Sequence, residues 1–333
     1  MNSRIFIASL FITLFSLPIG SFEFSVMTLN AQNLFDTIDD KGKDDKAFLP
    51  IELKKSNEHI RSCKNIKVTS WKNECLYLDW DPETKDAKLR NLFTNIIEYD
   101  QKGPDILALQ EVENENILRQ LFVLLKPYGY VDFKLIEGRD YRGIDTAIIS
   151  KFKILDSKLH YISFSGEFEG KDTRPILDAT LNINGKNIKI YNVHFPSGFH
   201  DVSMRLDSLD LLRELLNSHN YPAVALGDFN VNTEEDNKLN IYMSEESDWS
   251  VAHLKGCNDC KGTYYYGYGK TWEFLDTIFL SKHRGISYIE NSIYIHITNL
   301  NSYSDTGKPI KFNPVSQKGV SDHLPMVAKF KLN

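Results

Sequence analysis

Apolar residues recur along the chain with two different spacings, which predict helices and strands in alternation. Spacings of three and four positions predict helices at 89–99, 116–125 and 203–216. Short alternating or continuous apolar runs predict strands at 23–29, 105–112, 131–137, 144–150, 176–183, 187–194, 222–226, 262–266, 274–280, 286–294 and 326–332. The Asn184-Gly185 pair predicts a hairpin turn between two of these strands.

The order of these elements predicts the fold class. Alternating strands and helices favour a layered α/β domain, and the hairpins indicate mixed rather than purely parallel sheets. Residues 36–60 are rich in Asp, Lys and Glu and carry few apolar anchors, which predicts a long surface excursion. No stretch of the chain has the composition of a linker, so we expect a single domain over residues 22–333.

The first 21 residues have the pattern of a secretory signal peptide. Arg4 supplies a short positive region, residues 5–17 are almost uninterrupted apolar sequence, and Gly20 and Ser21 are small residues near a cleavage point. The apolar run is short for a membrane span, and an uncleaved anchor is the alternative. We therefore expect a secreted or periplasmic protein without stable membrane insertion.

The four cysteines fit export to an oxidising compartment. Their positions suggest two local disulfides, Cys63 with Cys75 and Cys257 with Cys260. Two alternatives remain open at this point. A redox-active CxxC would lack a thioredoxin-like surrounding, and a zinc site would have suitable spacing in only one of the two pairs.

The formal charge of −6 affects how a substrate would be held. Removal of residues 1–21 takes away Arg4 and no acidic residue, which leaves −7. Such a chain does not present a broad cationic surface for tight, nonspecific binding of nucleic acid. A nuclease remains compatible with this charge, because a bound metal supplies positive charge where the phosphate lies.

Polar side chains stand at the ends of several apolar strands and predict one polar cluster at an edge of the sheets. They are Asn30, Glu111, His194, Asp228, Asn230, Asp322 and His323. Carboxylate and amide oxygens suit Mg²⁺ or Mn²⁺, and histidines titrate near neutral pH. A hard metal beside histidines fits the attack of water on a phosphate ester, with one group as base and another as acid.

Seven segments carry a resemblance to a known superfamily. They are MTLNAQNLFD (27–36), DILALQEVEN (105–114), RGIDTAIIS (142–150), YNVHFPSG (191–198), ALGDFNV (225–231), LDTIFLS (275–281) and SDHLPMVAKF (321–330). In this order, the chain resembles the endonuclease/exonuclease/phosphatase superfamily of pancreatic-deoxyribonuclease-like, metal-dependent phosphodiesterases. The resemblance implies a hydrolase of phosphoric esters with a four-layer α/β sandwich, in which helices flank two packed mixed β-sheets.

The resemblance also implies a metal site. Asn30 and Glu111 match the family's metal-site residues, with Glu111 as the main ligand, and Asp322 matches a carboxylate at the metal or its waters. The implied cofactor is Mg²⁺ or Mn²⁺, and Ca²⁺ is a further candidate.

The resemblance assigns catalytic roles to five residues. Asp228 and Asn230 match the pair that orients the attacking water and a phosphate oxygen. His323 matches the histidine beside the phosphate, and Asp276 matches the acid that holds it. His194 matches a general acid or phosphate contact. We assign His323 with Asp276 as the base and His194 as the acid, and Asp228 is the alternative base.

Two further residues are candidates from their sequence positions alone. Asp145 begins a strand and could orient His194, or could equally cap the strand. Arg174 could bind a phosphate with two hydrogen bonds, or could pair with an acid at the surface.

The substrate is less constrained than the chemistry. The segment KGTYYYGYGKTW (261–272) contains tyrosines that could stack on bases of a single strand, touch a membrane, or pair across strands. Three functions follow: a secreted DNA or RNA endonuclease, a lipid (sphingomyelinase-like) or small-molecule phosphodiesterase or phosphatase, and an inactive binding protein. The intact polar set favours an enzyme. We expect a monomer with nucleic acid as substrate and no protein partner.

Overall fold

The computed structural model describes residues 21–333. The apolar segment at 5–17 lies outside the described residues, so the signal peptide stays a prediction. Within the described part of the chain, no helix combines the length and apolar character needed to cross a membrane.

Strands form where apolar residues alternate or run together, and most lie at the predicted positions. In chain order they are β1 (Phe22–Leu34), β2 (Ile106–Val112), β3 (Asp132–Leu135), β4 (Asp145–Ser150), β5 (Ile154–His160), β6 (Ile176–Ile183), β7 (Lys186–His194), β8 (Ala223–Asp228), β9 (Trp249–Val251), β10 (Tyr264–Tyr266), β11 (Thr271–Glu273), β12 (Asp276–Ser281), β13 (Ile286–Tyr288), β14 (Tyr294–Ile295) and β15 (Met326–Leu332).

Helices form at the three predicted positions and at several others. They are α1 (Asn57–Lys64), α2 (Thr69–Tyr77), α3 (Pro82–Glu98), α4 (Glu115–Leu125), α5 (Val202–Asn217), α6 (Thr233–Leu239), α7 (Ile241–Glu245) and α8 (Ala252–Lys255). Short 3₁₀ helices lie at Lys46–Phe48, Ile51–Lys55, Tyr99–Gln101, Lys126–Tyr128 and Gly166–Phe168. The helix predicted at 89–99 begins earlier, because Asp81 caps its N-terminus by accepting the Thr84 N–H and Pro82 starts it.

The two large sheets share one strand pattern. The first has the order β13-β15-β1-β2-β4-β3, with β14 also on β15, and the second has the order β5-β6-β7-β8-β12-β9. In each sheet, one parallel pair, β1 with β2 or β7 with β8, is flanked by antiparallel strands. Both sheets are therefore mixed, as predicted.

Apolar side chains fill three spaces between four layers. Val26 and Ile106 of the first sheet meet Ile190 and Leu226 of the second between the sheets. The outer face of the first sheet packs against α3 and α4, and the outer face of the second packs against α5. Helices thus flank two packed mixed sheets, which confirms the predicted four-layer sandwich.

A buried polar contact joins the two sheets beneath their functional edge. The Gln110 Nε2 donates to Asn192 Oδ1 at 2.7 Å. The Asn192 Nδ2 donates to the carbonyl oxygens of Leu109 at 2.9 Å and Ala147 at 2.8 Å. Because each partner is buried, these hydrogen bonds fix the sideways position of one sheet on the other.

The predicted surface excursion at 36–60 is wrong in part. This segment contains 3₁₀ helices and the start of α1, and Phe48 stacks on Phe35 with 4.1 Å between ring centroids. Lys54 is buried and donates to the carbonyl oxygens of Ala47 and Leu78. The segment has few apolar side chains to pack into the core, and the hydrogen bonds from Lys54 to main-chain oxygens hold it in place instead.

Further predictions need correction. The strand predicted at 286–294 is two short strands, β13 and β14, separated by a turn in which Asn291 has a left-handed φ of 57°. The sequence pattern also missed β5, where the exposed Leu155 breaks the alternation of buried apolar and exposed polar residues, and the three-residue strands β9 and β11. Both predicted cysteine pairs are disulfides, Cys63–Cys75 between α1 and α2 and Cys257–Cys260 after α8, so neither pair is a zinc site here.

We predict that Asn192→Ala lowers the free energy of unfolding by about 2–4 kcal/mol, because the Gln110 amide and two buried carbonyl oxygens lose their partner. Urea denaturation measures this change. As a control, Asn187→Ala on the same strand should cost less than about 1 kcal/mol, since Asn187 makes a single long hydrogen bond of 3.4 Å. Equal losses in the two variants would contradict the role of the link.

Candidate active site

The strand register of the second sheet places three polar residues in one row. His194 at the end of β7 lies opposite Asp228 at the end of β8, and Asp276 at the start of β12 lies opposite Asp228 on its other side. Side chains of directly opposite residues lie on the same face of a sheet. Asp228 is therefore flanked by His194 and Asp276, and all three are buried.

The backbone around Asp228 is tightly constrained. Gly227 has a φ of +146°, and a Cβ at this position would lie 2.1 Å from the Val193 carbonyl oxygen of the neighbouring strand. Asn230 has a left-handed φ of 53°. Such conformations at non-glycine residues cost energy and are concentrated at functional sites. The turn after β8 thus brings Asn230 back towards Asp228.

The first sheet contributes Asn30 and Glu111 through irregular backbone. The register of β1 with β2 shifts between Asn30 and Leu34, and Glu111 has a left-handed φ of 60°. Bulges of this kind redirect side chains at the ends of strands. Glu111 Oε2 accepts the Asn33 N–H at 2.9 Å, which anchors the carboxylate at this edge.

Asp228 is the point at which the two sheets meet. Its Oδ2 accepts from Asn30 Nδ2 at 3.1 Å and lies 3.7 Å from His194 Nε2, and its Oδ1 accepts the Asn230 N–H at 3.0 Å. The Asn230 side chain is held in turn, because its Nδ2 donates to the Phe195 carbonyl oxygen at 3.1 Å. One carboxylate thus contacts residues from both sheets.

His323 and Asp276 form the predicted pair, with 2.7 Å between Nδ1 and Oδ2. The backbone on each side is fixed by hydroxyl groups, since the Asp276 N–H donates to Thr263 Oγ1 and the His323 N–H donates to Ser321 Oγ. The Tyr264 ring packs on the imidazole with 4.9 Å between centroids. Orientation, tautomer and burial of His323 are all determined by these contacts.

The pKa values show how charge is distributed among these groups. Burial alone would lower the pKa of His323, but the charge and hydrogen bond of Asp276, with Asp228 and Asp322, raise it to about 10. Burial, with the neighbouring Asp276 charge, raises the pKa of Asp228 to about 7. At neutral pH the structure therefore holds a cationic imidazole beside a carboxyl group that can take up or release a proton.

His194 is in the opposite electrostatic state. Burial, and then the positive charges of Arg174 and Arg142, lower its pKa well below the usual range. Its Nδ1 is buried without a hydrogen-bond partner among the described residues. These charge states favour His323 as a proton donor rather than the base, and they leave His194 neutral until an anion binds.

Asp145 does not orient His194, so that hypothesis is wrong. Its Oδ1 accepts the Gly138 N–H at 2.8 Å, and the carboxylate makes no contact with His194 within 4.0 Å in the described chain. Burial, opposed by the Gly138 hydrogen bond, raises the pKa of Asp145 to about 7. It acts as a strand cap that holds the preceding loop.

Arg174 lies at the site rather than on the open surface, with its side chain 11% exposed. Its Nη2 donates to the Phe195 carbonyl oxygen at 2.8 Å, and its Nη1 lies 3.6 Å from Asp140. Its Nε is buried and has no partner within residues 21–333. A buried N–H without an acceptor is suited to an anionic oxygen of a substrate.

The residues at this edge fit a hard divalent cation. Glu111, Asp322 and the Asn30 amide carry oxygen atoms, the ligand type that such a cation prefers. The group of potential ligands whose atoms lie within 4.8 Å of one another at this edge is instead Asp228, Asp276 and His323. Because His323 is already bound to Asp276, we take that group as a hydrogen-bonded unit, and we retain Glu111 as the principal candidate ligand.

Sequence reasoning missed a lysine beneath the site. Lys88 on α3 is fully buried, donates to the Val320 carbonyl oxygen at 2.7 Å, and has a pKa lowered to about 7 by burial. The charges of Asp322 and Glu111 oppose this lowering. Its position was visible in the sequence, because Lys88 is four residues before Leu92 and therefore on the apolar face of the helix.

Comparisons with known proteins agree with this fold. The sequence model of the Endonuclease/Exonuclease/phosphatase family matches residues 78–323. No curated protein matches the chain.

Solved structures show the same fold. ANGEL2, a 2',3'-cyclic phosphatase, has a TM-score of 0.57 and 17% identity over 94% of this chain and 96% of its own. TDP2 from D. rerio, complexed with a single-strand DNA product, has a TM-score of 0.56 and 15% identity, over 92% of this chain and 98% of its own. A mannosyl-6-phosphatase from Bacteroides thetaiotaomicron has a TM-score of 0.54 and 15% identity, over 92% of this chain and 99% of its own. At these identities the likeness shows the fold alone.

We predict that Asp276→Asn lowers the pKa of His323 from about 10 towards or below the usual value near 6.5, since burial then dominates. NMR titration of the ring measures this pKa. Because folding raises the pKa, the pair stabilises the protein fully below pH 6.5 and loses this effect as pH rises towards 10. The stability difference between wild type and Asp276→Asn should therefore shrink from pH 7 to 10.

Asp156→Asn, at an exposed aspartate on β5, is the matched control and should leave the His323 titration unchanged. A His323 that titrates near 10 in Asp276→Asn as well would contradict the pairing as the cause of its charge.

Proposed function

Because the chain belongs to the endonuclease/exonuclease/phosphatase family, we propose that it is a divalent-metal-dependent phosphodiesterase that cleaves nucleic-acid strands. Members of this family are hydrolases that act on phosphoester bonds and generally require a divalent metal. The feature that carries the proposal is the placement of Asp228 beside His323, which Asp276 holds as a cation.

Asp228 is the group best suited to activate water. Its pKa of about 7 allows it to accept a proton at neutral pH, and its Oδ1 and Oδ2 are fixed by Asn230 and Asn30. A base whose pKa is near the working pH is deprotonated in much of the protein and still accepts a proton from water readily. We therefore place proton abstraction on Asp228 and revise the sequence-based preference for His323.

His323 supplies positive charge and a proton. With Nδ1 bound to Asp276, the Nε2–H remains for a phosphate oxygen or for the departing oxygen. A fixed cation costs no reorganisation when negative charge develops on the phosphorus oxygens. His194 is neutral, so its first role is a hydrogen bond to the phosphate, and anion binding would raise its pKa.

Two further groups hold the substrate, and three residues would hold the metal. The unpartnered Arg174 Nε is suited to a phosphate oxygen, and the Asn230 amide is oriented by the Phe195 carbonyl. Glu111, with Asp322 and Asn30, would hold the metal, which when bound lowers the barrier by polarising the phosphate and its water.

Aromatic residues beside His323 favour a nucleic acid as the substrate. The β10–β11 hairpin starts at Tyr264, against His323, and carries Tyr265 packed on Trp272 with 5.4 Å between ring centroids. At its tip Tyr268 is 95% exposed, 6.0 Å from Tyr266. Exposed aromatic rings next to a phosphate site can stack on unpaired bases.

A second candidate is a phosphatase or phosphodiesterase for small or lipid-linked esters. Deep burial of His194 and Asp228 favours it, because a small ester reaches an enclosed centre more easily than a duplex does. We also propose export, supported by the apolar segment at 5–17 and the two disulfides.

We predict that export removes about the first 21 residues. Intact mass spectrometry of full-length chain, expressed in a host with a secretory pathway and recovered outside the cytoplasm, should show a mature protein that begins near residue 22. Retention in the cytoplasm with Met1 in place would refute export.

We predict that the protein nicks supercoiled plasmid or cleaves single-stranded RNA with Mg²⁺ or Mn²⁺, and that EDTA stops the reaction. His194→Asn and Asp228→Asn should each lower the rate at least about 100-fold, since each removes a group at the reacting phosphate. Gel assays of initial rates measure this loss. If folded wild type leaves both nucleic acids intact but hydrolyses small or lipid phosphoesters, the nuclease proposal fails and the second candidate replaces it.

Matched controls separate chemistry from folding and substrate class. His283→Asn and Asp156→Asn change exposed residues of the same types and should retain full activity. Tyr268→Ala should weaken single-strand binding by about 5- to 100-fold through lost stacking, with unchanged hydrolysis of bis(p-nitrophenyl) phosphate. Tyr77→Ala, at an exposed tyrosine of α2, should change neither.

A further inference from the structure

A second group of carboxylates lies between the loop after β1 and the start of α4. The group consists of Asp36, Asp40, Asp45 and Glu113, which we call the loop cluster. Oxygens of Asp40, Asp45 and Glu113 lie within 4.8 Å of one another. Asp36, Asp45 and Glu113 are buried, and Asp40 is half-buried.

Main-chain and amide groups arrange these carboxylates. The Asp36 N–H donates to Glu113 Oε2 at 2.6 Å, and the Asp40 N–H donates to Asp45 Oδ2 at 2.7 Å. The Asn114 Nδ2 donates to Asp40 Oδ2 at 3.0 Å and to Asp36 Oδ2 at 3.3 Å. The carboxylates are therefore held towards each other by neutral donors, which do not cancel their charge.

Positive side chains are absent from the loop cluster. Within residues 21–333, no Lys, Arg or His nitrogen lies within 4.0 Å of its carboxylate oxygens. The nearby Lys43 donates instead to the carbonyl oxygens of Gly138 and Asp140. Buried carboxylates without a counter-charge are costly, and burial accordingly raises the pKa of Glu113 to about 9 and that of Asp45 to about 6. A bound cation would offset the same cost by supplying the missing positive charge.

One buried oxygen of the loop cluster has no hydrogen-bond partner. Asp45 is 1% exposed, and its Oδ1 is buried with no hydrogen-bond partner in the described chain. Its carboxylate is one of the three that converge within 4.8 Å. Buried polar atoms almost always have a partner, and an ion is one of the few groups that would satisfy this oxygen.

We propose that the loop cluster binds a Ca²⁺ ion, separate from the catalytic metal. Ca²⁺ takes six to eight oxygen ligands at about 2.3–2.6 Å, so ligand oxygens on opposite sides of one ion lie up to about 5 Å apart. The oxygens of Asp40, Asp45 and Glu113 all lie within 4.8 Å of one another, so one such ion can reach all three. Mg²⁺ binds in a strict octahedron, usually through one or two carboxylates and several waters, so a cluster of four carboxylates suits Ca²⁺ better. Main-chain carbonyl oxygens and water would complete the coordination.

The ion would connect two parts of the chain that are distant in sequence. Asp36, Asp40 and Asp45 belong to the loop after β1, while Glu113 is next to Asn114, the N-cap of α4. Ca²⁺ would therefore stabilise the fold beside the active site, without contacting the phosphate.

The test is Ca²⁺ binding by the full chain after removal of metals with a chelator. We expect that Ca²⁺ at about 100 times its Kd raises the unfolding temperature by roughly 3–6 °C in wild type. The same rise should occur in Glu111→Gln, which disables the catalytic metal site. Asp45→Asn should abolish the rise, and Asp40→Asn should weaken binding at least tenfold by isothermal titration calorimetry.

Asp44→Asn is the matched control, because Asp44 is an exposed neighbour paired with Lys46, and it should bind Ca²⁺ as wild type does. If Asp45→Asn does not fold, the half-buried Asp40 still decides the question. The proposal is overturned if wild type binds no Ca²⁺, if the rise persists in both Asp40→Asn and Asp45→Asn, or if it vanishes in Glu111→Gln. None of these outcomes depends on catalytic activity.

Discussion

Negative charge buried at a sheet edge is the constraint on which this structure depends. Asp228 and Asp276 lie in the protein interior on adjacent strands, where an uncompensated carboxylate would cost several kcal/mol. The surroundings offset that cost with the cationic His323, the Asn30 amide and the main-chain N–H of Asn230. The groups that offset the cost of the buried carboxylates are also those that water and phosphate would contact in the proposed reaction. Stability and chemistry are therefore properties of one hydrogen-bonded network, in which each substitution changes both.

That network explains why a static arrangement can hold two histidines in different charge states. His323 has a carboxylate on its Nδ1, whereas His194 faces two arginines and has an unpartnered Nδ1. Burial lowers the pKa of both rings, so the difference comes from their neighbours alone. Strand register decides those neighbours, because it sets which residue stands opposite which.

Much of this could be predicted from the sequence. The strands predicted at 176–183 and 326–332 agree with β6 and β15 residue for residue, because both are short, largely apolar segments that are buried at most positions. The polar residues at strand ends come together as expected, since the ends of neighbouring strands share one edge. Sequence alone could not give charge states. The preference for His323 as base followed from pairing with Asp276, but the strength of that pairing depends on burial, which only the folded chain shows.

Other features depend on contacts between distant segments. The Asp145 hypothesis was wrong because a strand cap and an orienting carboxylate have the same sequence signature. Lys88 was missed because lysines usually face solvent, and its partner Val320 is more than two hundred residues away. The loop at 36–60 lacks apolar periodicity, so its sequence does not predict the ordered turns that the structure shows. Lys54 and the stacked rings of Phe35 and Phe48 hold these turns.

The shared strand pattern of the two sheets has an architectural consequence. Each sheet centres on one parallel pair, and the two pairs supply different residues of the proposed centre: Asn30 and Glu111 from β1 and β2, His194 and Asp228 from β7 and β8. The chain is thus built as two similar units facing each other, like the subunits of a pseudo-symmetric dimer fused into one polypeptide. Neither unit contains a complete centre, so the reactive geometry exists only at their common boundary. The link from Gln110 to Asn192 crosses that boundary directly beneath it.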